Sequence, residues 1–156
     1  MRVRLTFSLW AASLAISSLS IADELARQEQ IKAFGAAGFN GTSSACEIEE
    51  TGNYTPVTME LVKDLNGDGR QDALITEGSA SCYGLAGTGF YLVSRQPDGQ
   101  WKLMASESGS AEFLASKGRD GWPDIQVVGP GSCFPVLRYD GEHYRVHHRM
   151  GDTCHE

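Results

Sequence analysis

The sequence is poor in the residues and motifs on which enzymes depend. It has four histidines, all near the C-terminal end: His143, His147, His148 and His155. His147 and His148 are neighbours on a predicted strand, so their side chains point to opposite faces and cannot hold one metal together. No G-x-S-x-G motif is present, and the glycine-rich stretches 87–90 and 129–133 do not begin a helix that could bind phosphate. We therefore expect no catalytic activity.

Basic residues are also scarce. The chain has 13 Lys and Arg residues against 20 Asp and Glu residues, which gives a formal net charge of -7 at pH 7. An acidic surface of this size repels phosphate backbones and anionic lipid headgroups. Nucleic acid and membrane partners are therefore not expected, whereas a basic protein partner or bound cations are favoured.

Long apolar runs are missing except at the N-terminus. Two arginines precede an apolar run at 5–16, and small residues suited to cleavage follow at 20–22. This layout is that of a secretory signal peptide, and the run is too short to remain as a membrane anchor. We expect residues 1–22 to be removed and residues 23–156 to form a single exported, periplasmic domain. Its net charge would be about -9, because two arginines and no acids are lost.

Cysteine is rare, but its number is even. The four cysteines are Cys46, Cys82, Cys133 and Cys154. In an oxidising compartment this count indicates two disulfides, for which three pairings exist, with four free buried thiols as the alternative. No C-x-x-C pair is present, so a zinc or redox site is not indicated. The favoured pairing is Cys46 with Cys82 and Cys133 with Cys154, which would stiffen one loop in each half of the chain.

One stretch of the sequence is helical, and the rest has the pattern of β-structure. In residues 23–38 apolar side chains fall on one face, with Asp23 and Glu24 at the start and glycines at the end. After it, β-branched and aromatic runs alternate with clusters of Gly, Asp and Ser, which is typical of strands and turns. We therefore expect a mainly β fold with one N-terminal helix.

The β part of the chain contains the same pattern twice. The motif D-G-x-x-D occurs at 68–72 and at 120–124, and each copy leads into a short apolar strand and a Gly/Ser loop that ends on cysteine. Further along, 90–104 and 134–148 each contain two strands joined by an Asp-Gly hairpin turn. Several features matched in the same order indicate an internal duplication.

Each copy supplies four consecutive strands, which predicts a meander like one propeller blade. Repeat one spans 57–104 and repeat two spans 111–148. Two such four-stranded antiparallel sheets cannot close a ring. They must pack face to face, or side by side with the N-terminal helix over an exposed edge. We favour a compact two-sheet domain with the helix as a lid.

The stretch 64–72, DLNGDGRQD, has oxygen donors at the spacing of a calcium-binding loop. The donors are the side chains of Asp64, Asn66, Asp68 and Asp72 and the carbonyl of Arg70. No glutamate stands at the twelfth position, so the loop is not an EF-hand. It resembles the calcium loops of FG-GAP and VCBS repeats, which implies a structural calcium ion. The alternative is a polar turn whose side chains cap their own backbone.

The second copy of the loop has lost its first two donors. Ser116 and Gly118 stand where repeat one has Asp64 and Asn66. We expect this loop to fold without metal, with Trp122 and Pro123 packing it instead.

With catalysis not expected, contact through loops is the favoured mode of action. Three loops are rich in small polar residues, at 77–89, 106–112 and 129–134. The candidate partner-binding residues are two aromatics that follow cysteines and three serines between the repeats: Tyr83, Phe134, Ser106, Ser108 and Ser110.

The segment 117–144 resembles small periplasmic proteins of Gram-negative bacteria. The functional group among them that fits best is the immunity proteins that block peptidoglycan amidases delivered by type VI secretion. Some of these insert a serine-bearing loop into the enzyme's cleft, which implies such a role for Ser106, Ser108 and Ser110. The alternatives are a calcium-dependent adhesive or glycan-binding module, which would need exposed aromatics such as Tyr83, Trp101 and Tyr144, and an assembly factor of the envelope.

Overall fold

The structure is a computed structural model that describes residues 17–40, 46 and 54–154. It divides into two units, one that ends at Gln30 and one that begins at Ile31. Among the described residues the first unit is helical, and the second carries the end of that helix and every strand. The predicted signal peptide up to residue 16 lies outside the described residues.

Eight strands form two four-stranded antiparallel sheets, in the order β1-β2-β3-β4 and β5-β6-β7-β8. Sheet one consists of β1 (Thr55–Lys63), β2 (Asp72–Gly78), β3 (Thr88–Arg95) and β4 (Trp101–Ser108). Sheet two consists of β5 (Ser110–Lys117), β6 (Pro123–Val128), β7 (Phe134–Tyr139) and β8 (Tyr144–Met150). The prediction of two antiparallel meanders in a mainly β fold is confirmed.

Two helices accompany the sheets. The predicted N-terminal helix is present as α1 (Ser17–Ala36), which begins inside the predicted signal peptide. A second helix of one turn, α2 (Ala80–Tyr83), lies in the loop between β2 and β3 and was not expected from the sequence. It begins there because the Ser79 hydroxyl accepts a hydrogen bond from the Cys82 amide (3.2 Å), which makes Ser79 the N-cap. The cap is hard to recognise from the sequence because the segment is rich in Gly and Ser, as loops are.

The central strands of sheet one, β2 and β3, are packed against other elements on both faces. One face packs against sheet two through a core formed by β2, β3, β4, β6 and β7, whose largest members are Phe90, Leu92, Met104, Trp122, Ile125 and Tyr139. The other face is covered by the end of α1 and the residues after it: Ala33, Phe34, Ala37 and Phe39 pack on Val57, Ala73, Ile75 and Val93. Of the two arrangements considered from the sequence, the sheets pack face to face, and the helix covers a face of sheet one, not its edge.

The two sheets stack in the same sense, as neighbouring blades of a propeller do. In β2, Ala73 and Ile75 face α1, and Leu74 faces sheet two. The matching residues of β6 are Ile125 and Val127, 52 positions later, and these face sheet one. The same face of each repeat is therefore covered by the preceding element. Among the described residues, no further sheet or helix packs on the opposite face of sheet two, which we call the open end of the stack.

This arrangement predicts different roles for two matching phenylalanines in β3 and β7. Phe90 is fully buried between the sheets, whereas Phe134 is only half-buried. Phe90→Ala should lower the free energy of unfolding by about 3–5 kcal/mol, the usual cost of truncating a buried phenylalanine. Phe134→Ala should cost clearly less, measured by urea denaturation. Equal losses would contradict the stacking sense.

Candidate functional sites

The loop between β1 and β2 folds around the carboxylate of Asp64. One oxygen of Asp64 accepts hydrogen bonds from the amides of Gly67 (2.7 Å) and Asp68 (3.1 Å), and the other accepts from Gly69 (2.8 Å). Both glycines have positive φ, 85° and 82°, which lets the amides turn inward. The Gly69 amide and its neighbours hold the pKa of Asp64 below its usual range. The first predicted ligand is thus a fixed, ionised carboxylate.

The next three predicted ligands lie around Asp68. Its carboxylate accepts from the Arg70 amide (2.8 Å), the Arg70 guanidinium (2.5 Å) and the Asn66 side-chain amide (3.0 Å). The Arg70 guanidinium also donates to the Arg95 carbonyl at the end of β3 (3.0 Å). From the sequence, Arg70 is expected to contribute only its carbonyl; in the structure its side chain also joins the loop to the neighbouring strand.

Asp72, the last predicted ligand, is the most unusual group of the loop. Its side chain is fully buried, one oxygen accepts from the Leu65 amide (2.8 Å), and the other has no hydrogen-bond partner among the described residues. Burial raises the pKa of Asp72, the nearby Ser94 side chain and the Leu65 amide lower it, and the charges of Asp68 and Asp64 raise it further. A buried carboxylate oxygen without a partner is costly, which leaves a place for a cation.

The loop does not by itself present a complete cage of acidic ligands. Among the described residues, no group of three or more His, Cys, Asp or Glu side chains converges as a metal site would require. The carboxylates of Asp64 and Asp68 instead cap the loop's own amides, as the alternative interpretation of the sequence expects. The unpartnered oxygen of Asp72 is the feature that this capping leaves unexplained.

Repeat two contains the same buried aspartate with a built-in partner. Asp124 is fully buried, and the Arg138 guanidinium donates to both its oxygens, at 3.0 and 2.6 Å. The Ser116 hydroxyl donates to it as well (2.6 Å). The bonds from Arg138, supported by Ser116, hold the pKa of Asp124 below its usual range despite burial. Asp124 is therefore an ionised carboxylate whose charge is neutralised inside the protein.

The register of the strands explains the difference between the repeats. Asp72 pairs with Ser94 of β3. In sheet two, Ile125 pairs with Leu137, and one step further the same register places Arg138 beside Asp124. Ser94 and Arg138 are therefore matching residues, and repeat one has the buried acid without the cation that pairs with it. Trp122 is buried in the core between the sheets and its ring packs on that of Tyr139.

Tyr83, the aromatic residue after Cys82 that was predicted to contact a partner, points inward. The Tyr83 hydroxyl donates to the buried carboxylate of Glu77 (2.6 Å) and shares a hydrogen bond with the Tyr91 hydroxyl (2.8 Å). The Tyr54 hydroxyl donates to the second oxygen of Glu77 (3.0 Å). Burial and these bonds raise the pKa of Tyr83 far above its usual range. The structure thus places Tyr83 as an anchor for its loop, with its polar end away from solvent.

The residue that does project from this loop is Leu85. Its side chain is 94% exposed, in the 3₁₀ turn Gly84–Ala86 that follows α2. The loop is braced by the disulfide Cys46–Cys82, and the second disulfide joins Cys133 to Cys154. These are the pairs that the sequence analysis favours. An exposed leucine on a braced loop is a feature that the sequence analysis missed, because nothing in the sequence marks Leu85 as the outward residue.

The three candidate serines lie on strands and not on a projecting loop. Ser106 and Ser108 belong to β4, and Ser110 begins β5. All three are exposed, but only Gly109 separates the two strands, and its φ of 124° allows the chain to pass directly from one sheet to the other. The expectation of a serine-bearing loop at 106–112 is therefore wrong. Phe134, the other candidate, begins β7 and is half-buried.

Comparisons with known proteins give no family to which these sites could be assigned. The chain matches no protein family, no curated protein and no solved structure. In the described part of the chain, no helix is both long and apolar enough to cross a membrane. The two disulfides indicate an oxidising, extracytoplasmic compartment.

The ion pair of Asp124 predicts a pH-dependent stability difference. Its pKa is lower in the folded protein than in the unfolded chain, so its contribution is complete above an aspartate's ordinary pKa of about 3.9 and is lost as the pH falls through the lowered value. Asp124→Asn should therefore reduce the free energy of unfolding by about 1.5–3 kcal/mol at pH 7. Urea denaturation at pH 7 and near pH 2 should show the gap between variant and wild type closing in acid.

The matched control is Asp152→Asn, at an exposed aspartate near the C-terminus, which should leave stability unchanged at both pH values. A deficit of Asp124→Asn that persisted in acid would show that the loss comes from packing and not from charge.

Proposed function

We propose that the protein is a non-catalytic binding protein of the periplasm that inhibits a cell-wall hydrolase, in the manner of an immunity protein. The observation that carries this proposal is Leu85, an almost fully exposed leucine at the tip of a braced loop. Large apolar side chains that remain exposed singly are common, but a rigid mounting makes this one suited to fill a partner's pocket.

Several contacts hold the loop in a fixed shape before any partner binds. The disulfide Cys46–Cys82 fixes one side, and the Tyr83 hydroxyl is bonded to Glu77 and Tyr91 beneath the loop. The Ser79 amide donates to the Gly87 carbonyl (3.0 Å), which closes the base of the loop. A loop that is ordered in advance loses little conformational entropy on docking, so that more of the contact energy appears as affinity.

The adhesive or glycan-binding alternative has less support, because the aromatic residues it would use are engaged. Trp101 packs at the edge of the cluster under α1. The Tyr144 hydroxyl donates to the Pro123 carbonyl (2.8 Å), and its ring packs on Trp122. Tyr83 also points inward. The three aromatic residues considered therefore do not form a flat, exposed surface on which a glycan could stack.

We further propose that the loop 64–72 binds one structural calcium ion. The supporting observations are the ligand spacing, the fixed carboxylate of Asp64 and the buried, unpartnered oxygen of Asp72. When bound, the ion would supply the positive charge that Arg138 supplies to Asp124 in repeat two. Asp64, Asn66, Asp68, Asp72 and the carbonyl of Arg70 are the groups that would hold it, after Asp68 exchanges its capping bonds for the ion.

Calcium should therefore raise the melting temperature of the wild type. At a free calcium concentration about 100-fold above Kd the stabilisation is about 2.7 kcal/mol, which is several degrees for a domain of this size. Asp68→Ala should lose this shift. Asp152→Ala, at an exposed aspartate near the C-terminus, should keep it. Each variant is compared with itself in chelator by differential scanning calorimetry, so that a general loss of stability cancels.

The calcium proposal fails if the wild type shows no shift, or if Asp68→Ala responds to calcium as the wild type does.

The hydrolase proposal predicts that Leu85 carries much of the binding energy. Leu85→Asp should weaken binding to the captured hydrolase at least about tenfold, since a buried anchor residue contributes about 2 kcal/mol or more. Val62→Asp is the control, because Val62 is also exposed but lies on β1 outside the loop. The hydrolase is isolated from an envelope extract, and its inhibition is titrated with each variant. Unchanged inhibition by Leu85→Asp, or peptidoglycan cleavage by the pure protein itself, contradicts the proposal.

A further inference from the structure

A basic cavity lies at the open end of the stack, away from the Cys82 loop. It has a volume of about 470 Å³, between the loop that follows β5, the end of β7 and the start of β8. The basic residues and the one acid of its lining are Lys117, Arg119, Arg138, Arg145, His147 and Asp140. Four of the 13 Lys and Arg residues of an acidic chain thus surround one cavity, which sets this place apart from the rest of the surface.

Two of these cations have no acidic partner among the described residues. Arg138 is paired with the buried Asp124, and Arg145 donates to Asp140 (2.7 Å). Lys117 and Arg119, by contrast, form no ion pair with any residue in the described part of the chain. Gathering like charges is unfavourable unless an anion offsets them, so the cavity has two positive charges available for a ligand.

The one acid in the lining, Asp140, is already engaged in hydrogen bonds. Besides the bond from Arg145, the carboxylate of Asp140 accepts from the amides of Glu142 and His143, both at 2.9 Å. These bonds hold the pKa of Asp140 well below its usual range, so it remains ionised and in place. Asp140 therefore positions Arg145 at the wall of the cavity and does not take up the charges of Lys117 and Arg119.

The backbone between Lys117, at the end of β5, and Arg119 is held close to β7. A Cβ atom added to Gly118 would lie 2.5 Å from the Tyr139 carbonyl oxygen and 2.9 Å from Cγ of Arg138, so only glycine allows this approach. The Gly118 amide also donates to the Trp122 carbonyl (2.8 Å). The backbone between Lys117 and Arg119 is thus fixed, and both residues line the cavity.

We propose that this cavity binds a small molecule through an oxyanion group, a carboxylate or a phosphate, held by Lys117 and Arg119. Guanidinium and ammonium groups form short charge-assisted hydrogen bonds with both kinds of oxyanion. The volume is within the range of small-molecule sites in proteins. The site is separate from the proposed hydrolase-binding loop, and its ligand does not depend on that proposal.

The test uses the purified protein at pH 7 and low ionic strength, with inorganic phosphate and succinate as the two probes. NMR titration should show saturable amide shifts at 117–119 and 145–147 with at least one probe. Saturation by phosphate alone, by succinate alone or by both supports the site and identifies its oxyanion. The double variant Lys117→Gln/Arg119→Gln should bind that probe about tenfold or more weakly, because two charge-assisted contacts are lost.

The matched control is Lys63→Gln/Lys102→Gln, which removes the same charge from exposed positions of sheet one and should bind like the wild type. The proposal is overturned if neither probe saturates or if chloride at the same ionic strength produces the same shifts. It is also overturned if the control pair loses as much affinity as the cavity pair. All four substitutions are at exposed positions, so the folded state can be checked by the unchanged remainder of the spectrum.

Discussion

Each sheet buries an aspartate at the start of its second strand, and the surrounding structure has to compensate for that buried carboxylate. Asp72 and Asp124 are both fully buried, and the cost of removing a carboxylate from water must be offset locally. In sheet two the compensation comes from Arg138, whose guanidinium binds both oxygens of Asp124. Sheet one has Ser94 at the matching position, which is too small and uncharged to do the same. We infer that its cation comes from solution.

The stacking of the sheets places the two aspartates in different surroundings. Because the repeats stack in one sense, Asp72 lies on the face that meets sheet two, and Asp124 lies on the face at the open end. One end of the stack is covered by apolar residues of α1 and its continuation, and the other carries charged side chains. Burying charged groups such as Arg138 under a further sheet would be costly, so this face is poorly suited to pack one.

Much of this fold was predictable because its determinants are local. The Asp-Gly turns at 98–99 and 140–141 fix two hairpins, and the duplicated D-G-x-x-D motif marks where β2 and β6 begin. The favoured cysteine pairs are also those of the structure, although the sequence leaves three pairings open. For the turns and the strand starts, the signal lies within a few residues of the structure that it specifies.

The parts that sequence reasoning missed depend on contacts between distant residues. Arg138 partners Asp124 only because β6 and β7 are in a particular register, which no short motif encodes. Tyr83 turns inward because Glu77 is buried beneath it, and Leu85 is left to project. The serine loop was mispredicted because polar residues around Gly109 resemble a turn, whereas a single glycine suffices to carry the chain between sheets.

The most direct test of the central claim is a crystal structure of the protein grown with calcium, with the ion identified by its anomalous scattering. The account predicts one ion per chain in loop 64–72, with the free oxygen of Asp72 among its ligands at about 2.3–2.6 Å, and none at Asp124. A water molecule or a protein donor on that oxygen, with no ion in the loop, would contradict it.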